Sequence, residues 1–273
     1  IEKALTRTDR NTYQAMEGFI HNLNTLNSRA GSQVPFSSIN FGTDISPEGR
    51  MVSKNFLLAT EAGLGEGETP IFPVSIFRVM DGVNYNPSDP NYDLFVLACK
   101  VSAKRLFPNF EFEDAPYNKE FYTGDPHTLI STMGCRTRVM ANVFKDRQVT
   151  SGRGNLSFTS INLPRIGIKH GRTTTGKLDL EGFYSELDET MDLVKDELLQ
   201  RFEYQGNKKV KNFPFLLGQG VWIGSEKLGP DDKAKKVIKD GTLSIGFIGL
   251  AETLVALIGK HHGESDEAQK LGL

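Results

Sequence analysis

A cysteine between a glycine and two arginines is the arrangement in this sequence whose residue types could best support chemistry. Cys135 follows Gly134 and precedes Arg136 and Arg138, between stretches with the apolar pattern of strands. Glycine permits a tight backbone bend, so we expect the thiol at a turn, where it can point into a cavity. A free cysteine is also among the residue types most often buried in a core. From these residues alone, a reactive thiol and a packed thiol both stay open.

The two arginines favour an ionic chemistry for the same cysteine. Neighbouring guanidinium groups lower the pKa of a thiol and produce a nucleophilic thiolate, as in a cysteine hydrolase. Such an enzyme also needs a histidine and an asparagine or aspartate in a recognisable arrangement. The nearest histidines in the sequence, His127 and His170, have no such motif around them. A cysteine hydrolase is therefore disfavoured.

Two further stretches contain polar groups suited to ligand binding. Asn155 follows a glycine-rich loop, and its amide can both donate and accept hydrogen bonds; Asn162 is the alternative. The second stretch is expected to open the last helix, where backbone N–H groups and hydroxyls would meet a substrate phosphate. Its candidate substrate-binding residues are Gly241, Thr242 and Ser244. A turn asparagine and an ordinary helix cap are the structural alternatives.

Cys99 and the adjacent histidines His261 and His262 are expected to have structural roles rather than chemical ones. Cys99 falls within a predicted helix, and we expect a packed, inert thiol there. His261 and His262 are adjacent, and adjacent side chains on a helix diverge by about 100°, so we assign no metal site.

Alternating helices and strands must position these residues, which predicts the α/β class. Helices are predicted over residues 9–27, 47–62, 90–106, 180–202 and 245–258, with Asp9 and Ser46 as N-caps. Strands are predicted over residues 33–41, 71–79, 129–142 and 156–161. Apolar strands flanked by helices suit a barrel or a sheet covered on both faces. We expect one domain over residues 1–273.

Composition limits the class of partner. The 273 residues are 38% hydrophobic and 24% charged, enough for a large core. Lys and Arg number 32 against 34 Asp and Glu, so no broad basic surface for nucleic acid or a membrane is expected. No apolar run reaches the roughly 18 to 20 residues of a membrane helix, and no leader pattern opens the chain, which predicts a cytoplasmic protein.

Long stretches, in chain order, resemble the class III, glycyl-radical ribonucleotide reductases. They include QVPFSSINFGTD at 33–44, GETPIFP at 67–73, SAKRLFPN at 102–109, TMGCRTR at 132–138, GRGNLSF at 152–158 and GTLSIGFIGLAE at 241–252. The resemblance implies part of a ten-stranded α/β barrel around a finger loop, here residues 129–142. It also implies that Cys135 becomes a thiyl radical that removes the ribose 3'-hydrogen. Asn155 would then help to orient substrate or formate.

The resemblance further implies the reaction and its partners. Ribonucleoside triphosphates would be reduced to deoxyribonucleoside triphosphates by a homodimer, with formate as reductant and with ATP and deoxynucleotides as effectors. A radical-SAM activating enzyme would install the glycyl radical, and a C-terminal region would hold structural zinc. These residues contain no Arg-Val-x-Gly-Tyr radical motif, four-cysteine module or ATP-cone. We therefore expect a piece of the catalytic barrel that is inactive alone.

Two other functions stay open. A glycyl-radical lyase of the pyruvate formate-lyase type typically has two adjacent cysteines in its loop, whereas Arg136 follows Cys135 here. A non-catalytic nucleotide-binding or assembly module is the third possibility.

Overall fold

Helices and strands alternate along the chain in the computed structural model, which describes residues 2–27, 30–134, 137–145 and 148–273. The predicted α/β class is confirmed. The chain divides into two compact units, residues 1–151 and 152–273. The single domain expected from the sequence stays a prediction, because this division describes compactness alone.

A parallel three-stranded sheet organises the first unit. Its strands are β1 (Ser38–Phe41), β2 (Val74–Val79) and β3 (Asn109–Phe112), in the order β1-β2-β3. The helices of this unit are α1 (Glu2–Thr25), α2 (Pro47–Ala62), α3 (Tyr92–Arg105) and α4 (Pro116–Lys119). Helices α2 and α3 connect the strands, as parallel pairing requires.

The core of the first unit lies between the sheet and its helices. Phe77 of β2 is fully buried against Leu57 of α2 and Ala98 of α3, and Phe41 and Phe110 pack beside it. Complete burial of one such side chain stabilises the fold by roughly 2 to 3 kcal/mol. Since side chains alternate along a strand, the residues between these phenylalanines lie on the opposite face of the sheet.

Local capping signals explain why α2 was predicted with correct bounds. The Ser46 hydroxyl accepts a hydrogen bond from the Gly49 amide at 3.1 Å, and Pro47 occupies the first helical turn. Gly63 ends the helix with φ of 87°, a conformation that favours glycine.

Other predicted bounds in this unit were wrong. Helix α1 begins at Glu2, so Asp9 is not its N-cap; instead its carboxylate accepts hydrogen bonds from Asn55 and Lys54 of α2. Strands β1 and β2 are shorter than predicted, since each follows a proline-containing segment that cannot donate fully to a ladder. Helix α3 begins two residues later than expected, after Asn91, whose buried amide instead donates to the Gly42 and Asp44 carbonyls.

The segment that the resemblance identifies as the finger loop, residues 129–142, contains two short strands rather than one long one, and it is called the finger loop throughout. Strand β4 (Ser131–Met133) pairs antiparallel with β5 (Thr137–Val139), with Met133 opposite Thr137. Leu129, Ile130 and Val139 are buried at its base.

A parallel pair of strands, β6 (Asn155–Asn162) and β7 (Thr242–Ile248), forms the sheet of the second unit. The helices are α5 (Leu163–His170), α6 (Arg172–Thr175), α7 (Leu180–Gly206), α8 (Lys235–Ile238), α9 (Leu250–Ile258) and α10 (Asp266–Gly272). The predicted strand 156–161 and the long helix from 180 are confirmed. The core joins β6, α5, α7 and α9 through residues such as Ile161, Ile166, Leu198 and Leu257.

The predicted helix over 245–258 is wrong in its first part. Residues 242–248 form β7, and α9 begins only at Leu250, after Gly249 with φ of 74°. Parallel pairing with β6, which is regular from Ser157 to Asn162, outweighs the local signals for a helix start.

No helix within the described part of the chain combines the length and the apolar character needed to cross a membrane.

Candidate active site

Polar side chains occupy the face of the parallel sheet that points away from α2 and α3. Asn40, Arg78 and Glu111 come from β1, β2 and β3 respectively, each next to a phenylalanine that faces the helices. Arg78 and Glu111 are cross-strand partners. All three contact the finger loop, which lies over this face.

Two of these side chains fix Thr132, in the middle of β4. The Asn40 amide donates to the Thr132 carbonyl at 2.9 Å, and its oxygen accepts from the Thr132 N–H at 2.9 Å. The Asn40 amide group thus hydrogen-bonds β4 as a neighbouring strand would. The Thr132 hydroxyl donates to the Glu111 carboxylate at 2.9 Å.

Gly134 leaves β4 in a conformation that other residues rarely adopt. Its φ is 60°, and its amide donates to the Ser38 hydroxyl at 3.1 Å. A Cβ atom at this position would lie 2.9 Å from the Phe36 ring. Glycine is therefore required both by the backbone bend and by the close approach of Phe36.

Arg78 binds the first residues of the finger loop. Its Nη2 atom donates to the Ile130 carbonyl at 2.7 Å and to the Ser131 hydroxyl at 2.8 Å. Its Nε atom lies 3.3 Å from a carboxyl oxygen of Glu113. One guanidinium thus joins the loop to the chain just beyond β3.

Burial dominates the electrostatics of this cluster. Glu113 is 3% exposed, and removal from water raises its pKa to about 7, since the opposing effects of Arg78 and the Ile130 backbone are smaller. The like charges of Glu111 and Asp114 raise it further. Burial also raises the pKa of Glu111, against the hydrogen bond from Thr132.

Arg138, on β5, is bound away from β4. Its guanidinium donates to the Asn118 side chain and lies 5.1 Å from the centre of the Tyr117 ring. Both partners belong to α4. The Arg138 side chain therefore connects β5 of the finger loop to α4.

In the second unit, the structure brings three predicted site residues onto one face of the β6–β7 pair. Asn155 is the cross-strand partner of Thr242, and the Thr242 hydroxyl lies 3.3 Å from the Asn155 side-chain oxygen. Ser244 follows two residues later and shares that face, whereas Leu243 packs into the core with α7. An amide and two hydroxyls thus form a small polar patch.

The argument for phosphate binding at a helix start is corrected by this arrangement. Thr242 and Ser244 lie in a strand, so no helix dipole acts there. Gly241 has a packing role, because a Cβ atom there would lie 2.6 Å from Leu156. Asn162, the alternative to Asn155, is the N-cap of α5 and accepts from the Arg165 amide at 3.2 Å.

The two cysteines of the chain are Cys135 and Cys99. Cys135, the expected radical thiol, and Arg136 lie outside the described residues. Cys99 is exposed on α3, so the expectation of a packed thiol was wrong. It lies one position beyond the buried Ala98, on the outer side of the helix.

Comparison with known proteins identifies the family. The family described as "Anaerobic ribonucleoside-triphosphate reductase" matches residues 1–273. The chain belongs to this family. Its relatives of that name include those of Escherichia coli K12, 33% identical over 97% of the chain, and phage T4, 34% identical over 95%. The resemblance drawn from the sequence motifs is thereby confirmed.

The matches to this reductase family extend along the chain but not along the relatives. The chain spans 36% of the E. coli protein, 42% of the phage T4 protein and 35% of the Haemophilus influenzae protein, which is 32% identical.

Sequence analysis missed the polar face that binds the finger loop. Asn40 and Glu111 each stand between two apolar residues, a pattern typical of a strand with two different faces. Arg78 interrupts an otherwise apolar strand, and an ionisable residue in such a position signals a buried partner. These patterns could have predicted that the three side chains are polar and at least partly buried. They could not have predicted that the side chains contact the finger loop.

Proposed function

We propose that this chain is the central part of the catalytic barrel of an anaerobic reductase that converts ribonucleoside triphosphates to deoxyribonucleoside triphosphates. The family supports the reaction class. The observation that supports the site is the anchoring of β4 by Asn40, Arg78 and Glu111, immediately before Cys135. The described strands form sheets of three, two and two strands. The closed ten-stranded barrel is therefore part of the proposal rather than of the observed fold.

Cys135 is the proposed radical thiol. Its sulfur would take the 3'-hydrogen of the ribose, forming an S–H bond and leaving the unpaired electron on the 3'-carbon. Hydrogen-atom transfer needs the two atoms within about an ångström of the productive distance. A finger loop fixed to a rigid sheet by side-chain hydrogen bonds meets this requirement better than a mobile surface loop.

The polar patch on β6 and β7 is proposed to bind substrate or formate. Asn155 would orient the bound molecule through its amide, and the hydroxyls of Thr242 and Ser244 would hydrogen-bond polar oxygens. Gly241 would let the backbone approach closely. This role rests on the family resemblance and on the shared strand face.

The remaining partners are proposed from the family resemblance. A glycyl radical, installed by a radical-SAM activating enzyme, would take the hydrogen atom of the Cys135 thiol and so leave the unpaired electron on the sulfur. Formate supplies two electrons, so that ribonucleotide, formate and a proton give deoxyribonucleotide, carbon dioxide and water. We also propose a homodimer, ATP and deoxynucleotide effectors and structural zinc in a region beyond these residues.

An anaerobic assay of the complete reductase with one ribonucleoside triphosphate tests this function. We expect deoxyribonucleotide and carbon dioxide from labelled formate in equal amounts. Product formed at the same rate without formate would overturn the formate assignment. Cleavage of pyruvate with no deoxyribonucleotide would overturn the reductase and favour the lyase, and nucleotide binding without either product would favour a non-catalytic module.

A further inference from the structure

The Arg78–Glu113 pair consists of two ionisable groups that are largely removed from water within the first unit. Glu113 is 3% exposed, and although the Ile130 amide is close enough to lower the pKa of its carboxyl group, neither carboxyl oxygen has an aligned hydrogen bond within the part of the chain that the structure describes. The Arg78 Nε atom, 3.3 Å away, is also without one there. Desolvation of such a pair often exceeds the attraction between its charges. The pair is therefore poorly explained as a source of stability.

Its placement is nevertheless well defined. The Glu113 amide donates to the Val79 carbonyl at 2.9 Å, which continues the β2–β3 ladder by one residue. Since Val79 follows Arg78 directly, the backbones that hold the two side chains are hydrogen-bonded to each other. The carboxyl group thus has a fixed position relative to the guanidinium.

A second nitrogen of the guanidinium binds the finger loop. Nη2 donates to both the Ile130 carbonyl and the Ser131 hydroxyl. Ile130 is fully buried, and Ser131 is the first residue of β4. An arginine held at one nitrogen by a carboxyl group can present another in a fixed direction, because the guanidinium is planar and rigid.

We propose that Arg78 and Glu113 are positioning residues for the reductase reaction: the carboxyl group orients the guanidinium, which sets where the finger loop begins and hence how close its thiol comes to the ribose. This inference rests on the proposed function of Cys135. Arg78 fixes the base of the finger loop. Asn40 and Glu111 fix Thr132, further along the same loop.

Two conservative variants of the complete reductase test the inference. Arg78→Lys keeps a positive charge but cannot contact Glu113, Ile130 and Ser131 with one planar group. Glu113→Gln keeps the shape but removes the charge that the carboxyl group carries above its pKa of about 7, so kcat is compared at about pH 8. We expect each to lower kcat by about 10- to 100-fold, since small displacements slow hydrogen-atom transfer. KM should stay within about twofold, and the glycyl-radical content, measured by electron paramagnetic resonance, should be unchanged, because neither residue binds the substrate or the radical.

Arg105→Lys is the matched control. Arg105 is also buried, and its guanidinium donates to the carbonyls of Glu61, Ala62 and Gly67, at the end of α2 and away from the finger loop. This variant should lower thermal stability with kcat retained per folded molecule. If Arg78→Lys and Glu113→Gln also keep kcat once folding is accounted for, the inference is overturned.

Hydrogen exchange gives a readout that does not need turnover. The amides of Thr132 and Gly134 should exchange faster in Arg78→Lys than in Arg105→Lys, because loosening the base of the loop weakens the bonds to Asn40 and Ser38. Equal exchange in the two variants overturns the positioning role. A wild-type enzyme that makes no deoxyribonucleotide overturns the proposed function instead, while the exchange comparison still decides whether Arg78 positions the loop.

Discussion

At the scale of single residues, Glu113 links the protonation of a buried carboxyl group to the stability of the fold. Its pKa in the folded protein is about 7, against a usual value of 4.5. The folded state therefore holds this proton more tightly than the unfolded state. The resulting stability is complete below pH 4.5 and is lost as the pH rises through 7.

We predict that Glu113→Gln flattens the dependence of unfolding free energy on pH between 4.5 and 7. The contribution of Glu113 across this window is on the order of 3 kcal/mol at most. His170, whose pKa is raised by Glu186, titrates in the same direction, so the difference between wild type and variant isolates Glu113. Denaturant titrations over this range measure the difference, and parallel profiles for the two proteins would rule out the effect.

Gly134 shows what could not be learned from residue types alone. Its bend was predicted from the sequence because glycine beside a candidate turn is a local signal. The contact with Phe36 and the hydrogen bond to Ser38 join residues nearly 100 positions apart, which no local pattern reveals. The same holds for Arg78 and Glu113, whose pairing depends on the register of β2 and β3.

We predict that Gly134→Ala lowers kcat of the complete reductase by roughly 10- to 100-fold, because the added methyl group displaces the loop from Phe36. The positive φ adds a loss of stability of about 1 kcal/mol. Gly82→Ala is the matched control, since Gly82 has φ of 75° but open space where a Cβ atom would lie. Similar losses of stability with unequal kcat are expected; equal kcat in the two variants would contradict a specific role for Gly134.

At the scale of secondary structure, local and non-local forces explain which elements were predicted. Helix α2 was predicted correctly because Ser46, Pro47 and Gly63 act within the helix itself. Strand β7 was missed because Thr242 and Ser244 are good caps, whereas the strand partner, β6, lies 87 residues away at Asn155. Pairing with β6 satisfies the backbone of β7, and this choice is made by tertiary contacts.

The placement of Thr242 and Ser244 on a strand face predicts a role for their hydroxyls rather than for a helix dipole. Replacing both, as Thr242→Val with Ser244→Ala, should raise KM for the ribonucleoside triphosphate by about 10- to 30-fold, since each of the two lost hydrogen bonds is worth about 1 kcal/mol. Thr174→Val on α6, exposed and outside the patch, should leave KM unchanged. Steady-state kinetics compare the two, and an unaltered KM in the double variant would remove the patch from the site.

At the scale of the whole molecule, the chain contains the finger loop and the polar patch but matches only 35 to 42% of the length of its relatives. The radical motif that the resemblance implies is not among these 273 residues. We therefore predict that a polypeptide of these residues alone makes no deoxyribonucleotide under anaerobic conditions, even with the activating enzyme and formate. Product formation by this polypeptide would show that the radical can be generated within it.

The most direct measurement compares Cys135→Ser with Cys99→Ser in the complete, activated reductase. Cys99 is exposed on α3, outside the finger loop, and serves as the matched control. We expect Cys135→Ser to bind the ribonucleoside triphosphate with near wild-type affinity and to make no deoxyribonucleotide, because a hydroxyl group cannot replace the thiol in hydrogen-atom transfer, while Cys99→Ser reduces it normally. Substantial reduction by Cys135→Ser would contradict the assignment of Cys135 as the radical thiol.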